Sequence, residues 1–353
     1  MHIIKNERPL WQVVLIKLVF ILLALAVSAL FIIALTGLDP FEVFSSMVKG
    51  SFSSVKRFYS VLRDTCFLWL IGIGLAPSFK MRFMNNGAEG QVLIGALCSA
   101  ALMISFGGKI SNGILIPLMF VSSFLAGAIW GFIPAYFKVK YQTNETLFTL
   151  MMNYIAIQIV EFFVDVWDKK QSHVVGIINS SSSGGWLPGM FSNQYFLVYI
   201  ITLVFGIFMF CYMNYTKQGY EIDVVGESEN TARYAGIDVK KTTLRTVFLS
   251  AGICAVAGFL NVSGISHTIS AQTAGGKGFT AIIVAWLGKF NVWVMMLISF
   301  MLQFLSKGAV QIASQFNLNE YIADILIGII LFFIIASEFF SSYRIVFKKK
   351  EEK

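Results

Sequence analysis

Long apolar runs are the feature that most constrains how this chain can fold. A helix of about 20 apolar residues spans the hydrocarbon core of a bilayer, and about ten runs approach or exceed that length. The runs cover residues 11–36, 65–79, 83–106, 112–137, 144–166, 193–213, 243–263, 279–288, 292–314 and 321–343. The sequence therefore predicts an all-α, polytopic transmembrane helical bundle of about ten spans, of which the second and eighth are short.

Composition excludes a soluble domain, because 57% of the residues are hydrophobic and only 13% are charged. Lys5 and Arg8 precede the first apolar run, as basic residues do in a secretory signal. That run continues through Leu35, which makes it longer than the apolar core of a signal. We therefore predict an uncleaved first helix and a single transmembrane domain over residues 1–353.

The distribution of Lys and Arg predicts the orientation, because positively charged flanks stay on the cytoplasmic side. Ten spans place both termini on one side, and cytoplasmic termini give the inner segments roughly twice the Lys and Arg of the outer ones. A cytoplasmic loop is then predicted over residues 214–242 and an extracytoplasmic loop over residues 167–192. The net charge of +8 is explained by this orientation and by attraction of residues 348–350 to anionic lipid, not by nucleic-acid binding.

The residues that usually carry catalytic or metal chemistry are scattered. The three histidines are far apart, and the four cysteines, interpreted as small core residues, lie in apolar runs without metal-ligand spacing. No phosphate-binding P-loop occurs. We therefore expect no metal or cofactor on this chain, and any ATP would be hydrolysed by another subunit. The cysteines are Cys66, Cys98, Cys211 and Cys254.

Two glycine-rich polar segments open apolar spans: residues 85–91 (NNGAEGQ) and residues 270–280 (SAQTAGGKGFT). Lipid-exposed helices avoid such openings, so protein or a cavity should cover them. In the predicted topology the third span runs outward and the eighth runs inward. This pairing suggests inverted repeats, formed by spans two to five and seven to ten, whose broken helices meet near a transport path. The glycines of the broken helices are Gly87, Gly90, Gly276 and Gly278.

Four segments carry a family resemblance: residues 85–91, 144–156 (NETLFTLMMNYIA), 219–237 (GYEIDVVGESENTARYAGI) and 276–288 (GKGFTAIIVAWLG). In order and spacing they resemble the integral-membrane permeases of bacterial ABC importers for simple sugars, nucleosides and branched-chain amino acids. The first two segments are most similar to the nucleoside branch. Three residues depart from the family pattern, and the first of them puts the detailed ATPase contact in doubt: Asp223, Asn86 and Val292.

The resemblance implies a transport subunit, not an enzyme, in a bacterial cytoplasmic membrane. Two permease chains, expected to be a heterodimer, would form the pathway, while cytoplasmic ATPases bind ATP and Mg and an extracellular binding lipoprotein delivers cargo. Purine nucleosides are the favoured cargo. A simple sugar such as ribose or galactose is the first alternative, and an ion-coupled secondary transporter is the next. A membrane-embedded enzyme is disfavoured because catalytic groups do not cluster.

The segment of residues 219–237 is expected to bind the ATPase, with residues 229–236 as a short helix that seats in a groove. Asn230 would cap this helix, Arg233 and Tyr234 would make contacts, and Gly236 would end it. An ordinary solvated helix between two spans is the alternative. The predicted coupling residues are Gly226, Glu229, Asn230, Ala232, Arg233, Tyr234 and Gly236.

A nucleoside needs amide or carboxylate partners and aromatic faces, which selects polar and aromatic residues of spans three and five. These pathway candidates are Asn85, Glu89, Gln91, Phe148, Asn153, Tyr154 and Gln158. Structural roles compete: Glu89 would pair with the Lys80 and Arg82 flank, and Asn153 would bond between helices. In the ninth span, Lys307 would pair with Asp324, with an ion relay as the rival role.

Overall fold

Thirteen helices and two short strands make up the described part of the chain. The computed structural model describes residues 2–5, 9–168, 175–190, 193–317 and 320–346. The elements are β1 (His2–Lys5), α1 (Leu10–Thr36), α2 (Pro40–Phe52), α3 (Val55–Lys80), α4 (Ala88–Phe106), α5 (Asn112–Tyr141), α6 (Glu145–Trp167), α7 (Phe196–Tyr215), α8 (Lys217–Glu227), α9 (Glu229–Tyr234), α10 (Val239–Leu260, continued by a π-helical turn, Asn261–Ser266), α11 (Lys277–Leu287), α12 (Val292–Gln315), α13 (Glu320–Ser342) and β2 (Tyr343–Val346).

The helices confirm the prediction of an all-α, polytopic membrane protein. Among the described residues, eight helices are long and apolar enough to cross a bilayer, and two shorter apolar helices accompany them. Each of the ten predicted spans overlaps one of these helices. The strands β1 and β2 form a small antiparallel pair of four residues each, which the sequence analysis did not predict.

Two boundaries differ from the prediction. Helix α3 has 26 residues and begins at Val55, so the second span is not short. The helix continues through charged residues that an apolar-run criterion leaves out, among them Arg63 and Asp64, which pair at 2.8 Å. Helix α2 was not predicted, although Asp39 accepts a hydrogen bond from the Phe41 amide at 2.9 Å and so caps its start. Helix α11, with 11 residues, is short as predicted.

The chain forms two compact units, residues 1–61 with 301–353 and residues 62–300. In the first unit, α1, α2, α12 and α13 share an apolar core. Helices α2 and α12 approach closely at Gly308, where an added Cβ would meet Met47. The core residues are Ile32, Val43, Met47, Leu305, Ile312 and Leu326. The prediction of a single domain over residues 1–353 stays a prediction.

In the second unit, α10 packs directly against α4 and α5 through small residues. A Cβ added to Gly95 would lie 2.3 Å from the Ala255 carbonyl oxygen, and one added to Gly131 would lie 2.3 Å from the Ala251 Cβ. The Ser123 hydroxyl bridges all three helices by donating toward the carbonyls of Gly95 and Ala255 at 3.0 Å each. Such close backbone contact is typical of helix packing in membranes.

Residues 175–190 belong to the predicted extracytoplasmic loop and are held against the ends of the helices. The Leu187 amide donates to the Ser263 carbonyl at 2.9 Å. The Trp186 ring stacks on His267 with centroids 3.9 Å apart, and burial lowers the pKa of His267 below its ordinary value. Residues 169–174 and 191–192 of the predicted loop lie outside the described residues.

The remaining core predictions have mixed outcomes. Cys254 is fully buried, as expected, whereas Cys211 lies on the exposed side of α7 and is not a core residue. The predicted pairing of Lys307 with Asp324 involves an Asp324 side chain outside the described part. The relation of inverted repeats between the halves of the chain stays a prediction.

Candidate functional site

The two polar openings meet at Glu89. Its carboxylate accepts hydrogen bonds from the backbone amides of Gly276 and Gly278, each at 2.7 Å. Glu89 lies in the first turn of α4, and the two glycines flank the start of α11. A negative charge at helix starts is stabilised by unpaired amides and by the helix dipoles. Glu89 therefore joins the beginnings of two helices that are distant in sequence.

Glycine is needed at both positions that donate to Glu89. Gly276 has a φ of 72°, a left-handed conformation that other residues avoid. A Cβ added to Gly278 would lie 2.4 Å from the Glu89 backbone nitrogen, so the two helices touch through their backbones. Helix α11 is about 16 Å long, roughly half of the hydrocarbon thickness. The contact thus lies where a short helix begins, as in the predicted broken helices.

A second charged group lies beside the Glu89 contact. The Lys277 ammonium is 4.0 Å from the Asp64 carboxylate and 4.9 Å from the Phe67 ring centroid. Asp64 also pairs with Arg63, whose guanidinium donates to the Tyr195 hydroxyl at 3.1 Å. Charges placed inside membrane helices are costly unless they are paired in this way. No role was predicted for this network from the sequence, although Lys277 within a polar opening was a usable signal.

Amide side chains hold the segment that leads into α4. The Asn153 Oδ1 accepts from the Gly90 amide at 2.8 Å, and its Nδ2 donates to the Asn86 carbonyl at 2.8 Å. Asn85 Oδ1 accepts from the Gly87 amide at 3.1 Å and from Gln91 Nε2 at 3.0 Å. These amides are buried and bonded within the protein. The structural alternative, Asn153 bonding between helices, is therefore the role that the structure describes.

Replacing Asn153 with alanine should destabilise the protein and reduce uptake together. The change leaves the buried Gly90 amide without its partner, at about 1–3 kcal/mol, and also removes the bond to the part-buried Asn86 carbonyl. Thermal unfolding of the purified protein in detergent, and uptake by cells, would measure both effects. The exposed Gln158→Ala is the control for stability. An Asn153→Ala protein with unchanged unfolding and reduced uptake would contradict the structural role and favour direct contact with cargo.

The polar segment between α7 and α10 forms two consecutive short helices, α8 and α9. The Ser228 hydroxyl accepts from the Thr231 amide at 3.3 Å, so Ser228, and not the exposed Asn230, caps α9. Ser228 was not predicted as the cap because Asn is an equally good cap residue. Helix α9 ends at Tyr234 and is followed by Gly236 with a φ of 77°, as predicted for a C-terminal glycine.

The α8–α9 segment has an exposed tip, formed by Arg233 and Tyr234 of α9, on a base, α8, that packs against the rest of the protein. Tyr234 is 94% exposed, whereas Ala232 is fully buried. A Cβ added to Gly226 would lie 2.1 Å from the Lys80 carbonyl oxygen, so α8 packs directly on the end of α3. Lys80 pairs with Asp223 at 2.6 Å, and Arg245 of α10 pairs with Glu221 at 2.9 Å. The base of the segment is thereby in contact with both α3 and α10.

Comparison with known proteins identifies the family to which this chain belongs. Residues 58–335 match the family described as the permease component of branched-chain amino acid transport systems. The chain belongs to this permease family. It is thus a multi-pass membrane protein and a transport subunit of the ABC type.

Several curated permeases are similar to this one over most of their length. The guanosine ABC transporter permease protein NupP of Bacillus subtilis is 28% identical, covering 92% of this chain and 93% of the relative. The glucose ABC transporter permease protein TsgB13 of Haloferax volcanii is 27% identical, with 97% and 92% covered. The nucleoside ABC transporter permease protein NupB of Lactococcus lactis is 24% identical, with 91% and 90% covered. No solved structure matches the permease.

The predicted pathway residues separate into two groups in the permease. Asn85, Glu89, Gln91 and Asn153 are brought together around the starts of α4 and α11. The other three lie on α6, away from the buried cluster. Phe148 is half-buried against Phe137, with ring centroids 5.2 Å apart, while Tyr154 and Gln158 are exposed. Contact of these residues with cargo stays a prediction.

Proposed function

We propose that this permease forms one half of the translocation pathway of an ABC importer for nucleosides, with purine nucleosides favoured. The observation that carries the proposal is the similarity to guanosine and nucleoside permeases over nine tenths of the chain. The 85–91 and 144–156 segments, which resemble the nucleoside branch, support the same cargo. A second permease chain, expected to differ from this one, would complete the pathway.

The partner proteins of the proposed importer would bind its cytoplasmic and extracytoplasmic sides. An ATPase that binds ATP and Mg would engage the α8–α9 segment, which then lies in the cytoplasm with both termini. A binding lipoprotein would deliver cargo to the face that carries residues 175–190. The exposed Tyr234 and Arg233 on a base fixed to α3 and α10 support this orientation. The surplus of Lys and Arg on the same side supports it independently.

Alternating access would use the contacts that the second unit already contains. Closure of two ATPases would move the α8–α9 segments of the two permease chains together. Helix α10 carries this movement to α4 and α5, against which it packs. The Glu89 contact joins α4 to α11, so the two helix starts would move as one body. We infer that cargo selectivity rests mainly with the binding protein, because the buried amides around α4 bond to the permease itself.

Uptake of labelled guanosine, adenosine and ribose by cells with and without this chain would test the proposed function. Selective loss of guanosine and adenosine uptake is the expected result. Loss of ribose uptake alone would contradict the nucleoside assignment. Deletion of the partner ATPase serves as the control, since it should abolish the same uptake.

A sugar permease is the second candidate. The similarity to the glucose permease TsgB13 covers 97% of this chain at an identity close to that of NupP. Adding labelled glucose to the same uptake series separates the two candidates. The sequences of the 85–91 and 144–156 segments favour a nucleoside over a sugar, because they are most similar to the nucleoside branch.

A further inference from the structure

Helix α6 exposes a polar face, although it is a membrane-spanning helix of 23 residues. Residues spaced by three and four lie on one side of a helix. One side of α6, which includes Asn153, is buried against the protein. The other side is exposed and carries what we call the α6 polar face: Tyr154, Gln158, Glu161 and Asp165.

The neighbouring helices show what a lipid-exposed face looks like in this protein. The exposed residues of α5 include Leu118 and Leu125, and those of α7 include Leu203 and Val204. Residues 112–137 and 196–215 contain no Asp, Glu, Lys or Arg. On α6, by contrast, Glu161 lies about 9 Å inside the end of the helix. A carboxylate at depth in lipid is unfavourable, so this face borders water, cargo or protein.

The surface around Glu161 combines aromatic rings with an oriented carboxylate. A shallow, open hollow of about 440 Å³ on α6 is lined by Tyr154, Gln158, Phe162 and three apolar neighbours, and Glu161 lies at its edge. Tyr154 and Phe162 are each 64% exposed. Gln158 Nε2 donates to a Glu161 carboxylate oxygen at 3.0 Å, which orients the carboxylate beside the hollow. The accessible walls of the hollow are apolar, so the polar group that a ligand site needs would come from Glu161 at its edge.

We propose that this surface binds the nucleoside during translocation, with Glu161 accepting hydrogen bonds from the two ribose hydroxyls. A carboxylate has two oxygens and can accept from both hydroxyls of a vicinal diol. Tyr154 and Phe162 contact the flat face of the base, as aromatic rings do with planar ligands. This inference rests on the proposed nucleoside function and adds a residue that recognises the ribose.

The test compares guanosine with 2′,3′-dideoxyguanosine, which lacks both hydroxyls. Uptake of each is measured for the wild-type transporter, Glu161→Gln and Glu161→Ala, all with the same binding protein and ATPase. Because the binding protein is constant, a change in the ratio of the two rates belongs to the permease. We expect the guanosine preference to fall about tenfold or more, as removal of a charge-assisted hydrogen bond does. Glu145→Gln, at the other end of α6, should leave the ratio unchanged.

A thiol-labelling experiment tests the same surface without uptake. In a chain whose four cysteines are replaced, the thiol introduced by Glu161→Cys should react with a charged reagent, and guanosine should slow the reaction. A thiol introduced by Val204→Cys on the apolar face of α7 should stay unreactive. An unreactive thiol at position 161, or one that guanosine does not protect, overturns the inference.

The outcomes separate the inference from the function on which it rests. Guanosine uptake that persists in both Glu161 variants with an unchanged ratio overturns the inference alone. A wild-type transporter that takes up neither nucleoside contradicts the proposed function, and the ribose contact falls with it. Equal wild-type rates for the two compounds also overturn the inference, because Glu161 would then make no use of the ribose hydroxyls.

Discussion

Replacement of Glu89 by alanine should abolish uptake and lower the free energy of unfolding by about 1–3 kcal/mol. The Glu89 carboxylate accepts from the buried Gly278 amide and from the amide of Gly276, which is exposed, and alanine leaves the buried amide without a partner. Each unsatisfied buried donor costs about 1–3 kcal/mol. Thermal unfolding in detergent would measure the loss of stability, and guanosine uptake would measure the loss of function.

Two further variants separate the hydrogen bonds from the close packing. Glu89→Gln keeps the shape but replaces one acceptor oxygen with a donor, so it should fall between wild type and Glu89→Ala. Gly278→Ala keeps the carboxylate but adds a Cβ 2.4 Å from the Glu89 nitrogen, which forces α4 and α11 apart. Gly113→Ala is the matched control, since no atom lies within 4 Å of its added Cβ. Wild-type stability and uptake in Glu89→Ala would contradict the proposed role of Glu89 in joining α4 to α11.

Most of the fold could be predicted because apolar length is a local property of a membrane chain. All ten predicted spans overlap helices, and the eighth span, which was predicted to be short, corresponds to the short helix α11. The errors lie where polar residues continue a helix. Helix α3 begins at Val55, ten residues before the predicted span, because it extends through charged residues that the search for apolar runs left out. Helix α2 was missed because its polar and small residues resemble a loop.

The site could be predicted only in part, because its contacts join residues distant in the chain. The two polar segments at the starts of apolar spans predicted that protein would cover them. The structure places Glu89 of one segment against Gly278 of the other. The alternative in which Glu89 pairs with the Lys80 and Arg82 flank is not what the structure describes, since the Glu89 carboxylate bonds to Gly276 and Gly278 and Lys80 pairs with Asp223 at 2.6 Å. This pair also gives Asp223, a departure from the family pattern, a structural role. Such pairings depend on tertiary distance, which residue spacing does not contain.

The double variant Arg233→Glu with Gly236→Pro should uncouple ATP hydrolysis from uptake while leaving membrane insertion intact. Gly236 has a φ of 77°, which proline cannot adopt, and its amide donates to the Arg233 carbonyl at 3.1 Å. Proline therefore disrupts the end of α9, and the charge reversal changes the exposed tip that would face the ATPase. Uptake should fall at least about tenfold, a loss of about 1.4 kcal/mol or more in coupling.

Three measurements on the same preparations make this prediction specific. Membrane content of the chain should match wild type, because the spanning helices are unchanged. ATP hydrolysis by the assembled complex should persist without a response to loaded binding protein, and recovery of the ATPase with a tagged permease should fall. Lys109→Glu, a charge reversal on an exposed residue outside the α8–α9 segment, should keep uptake normal. Wild-type uptake by the double variant would show that the tip is only a solvated helix, because a docking helix that drives α3 and α10 cannot lose both its end and its charge without effect.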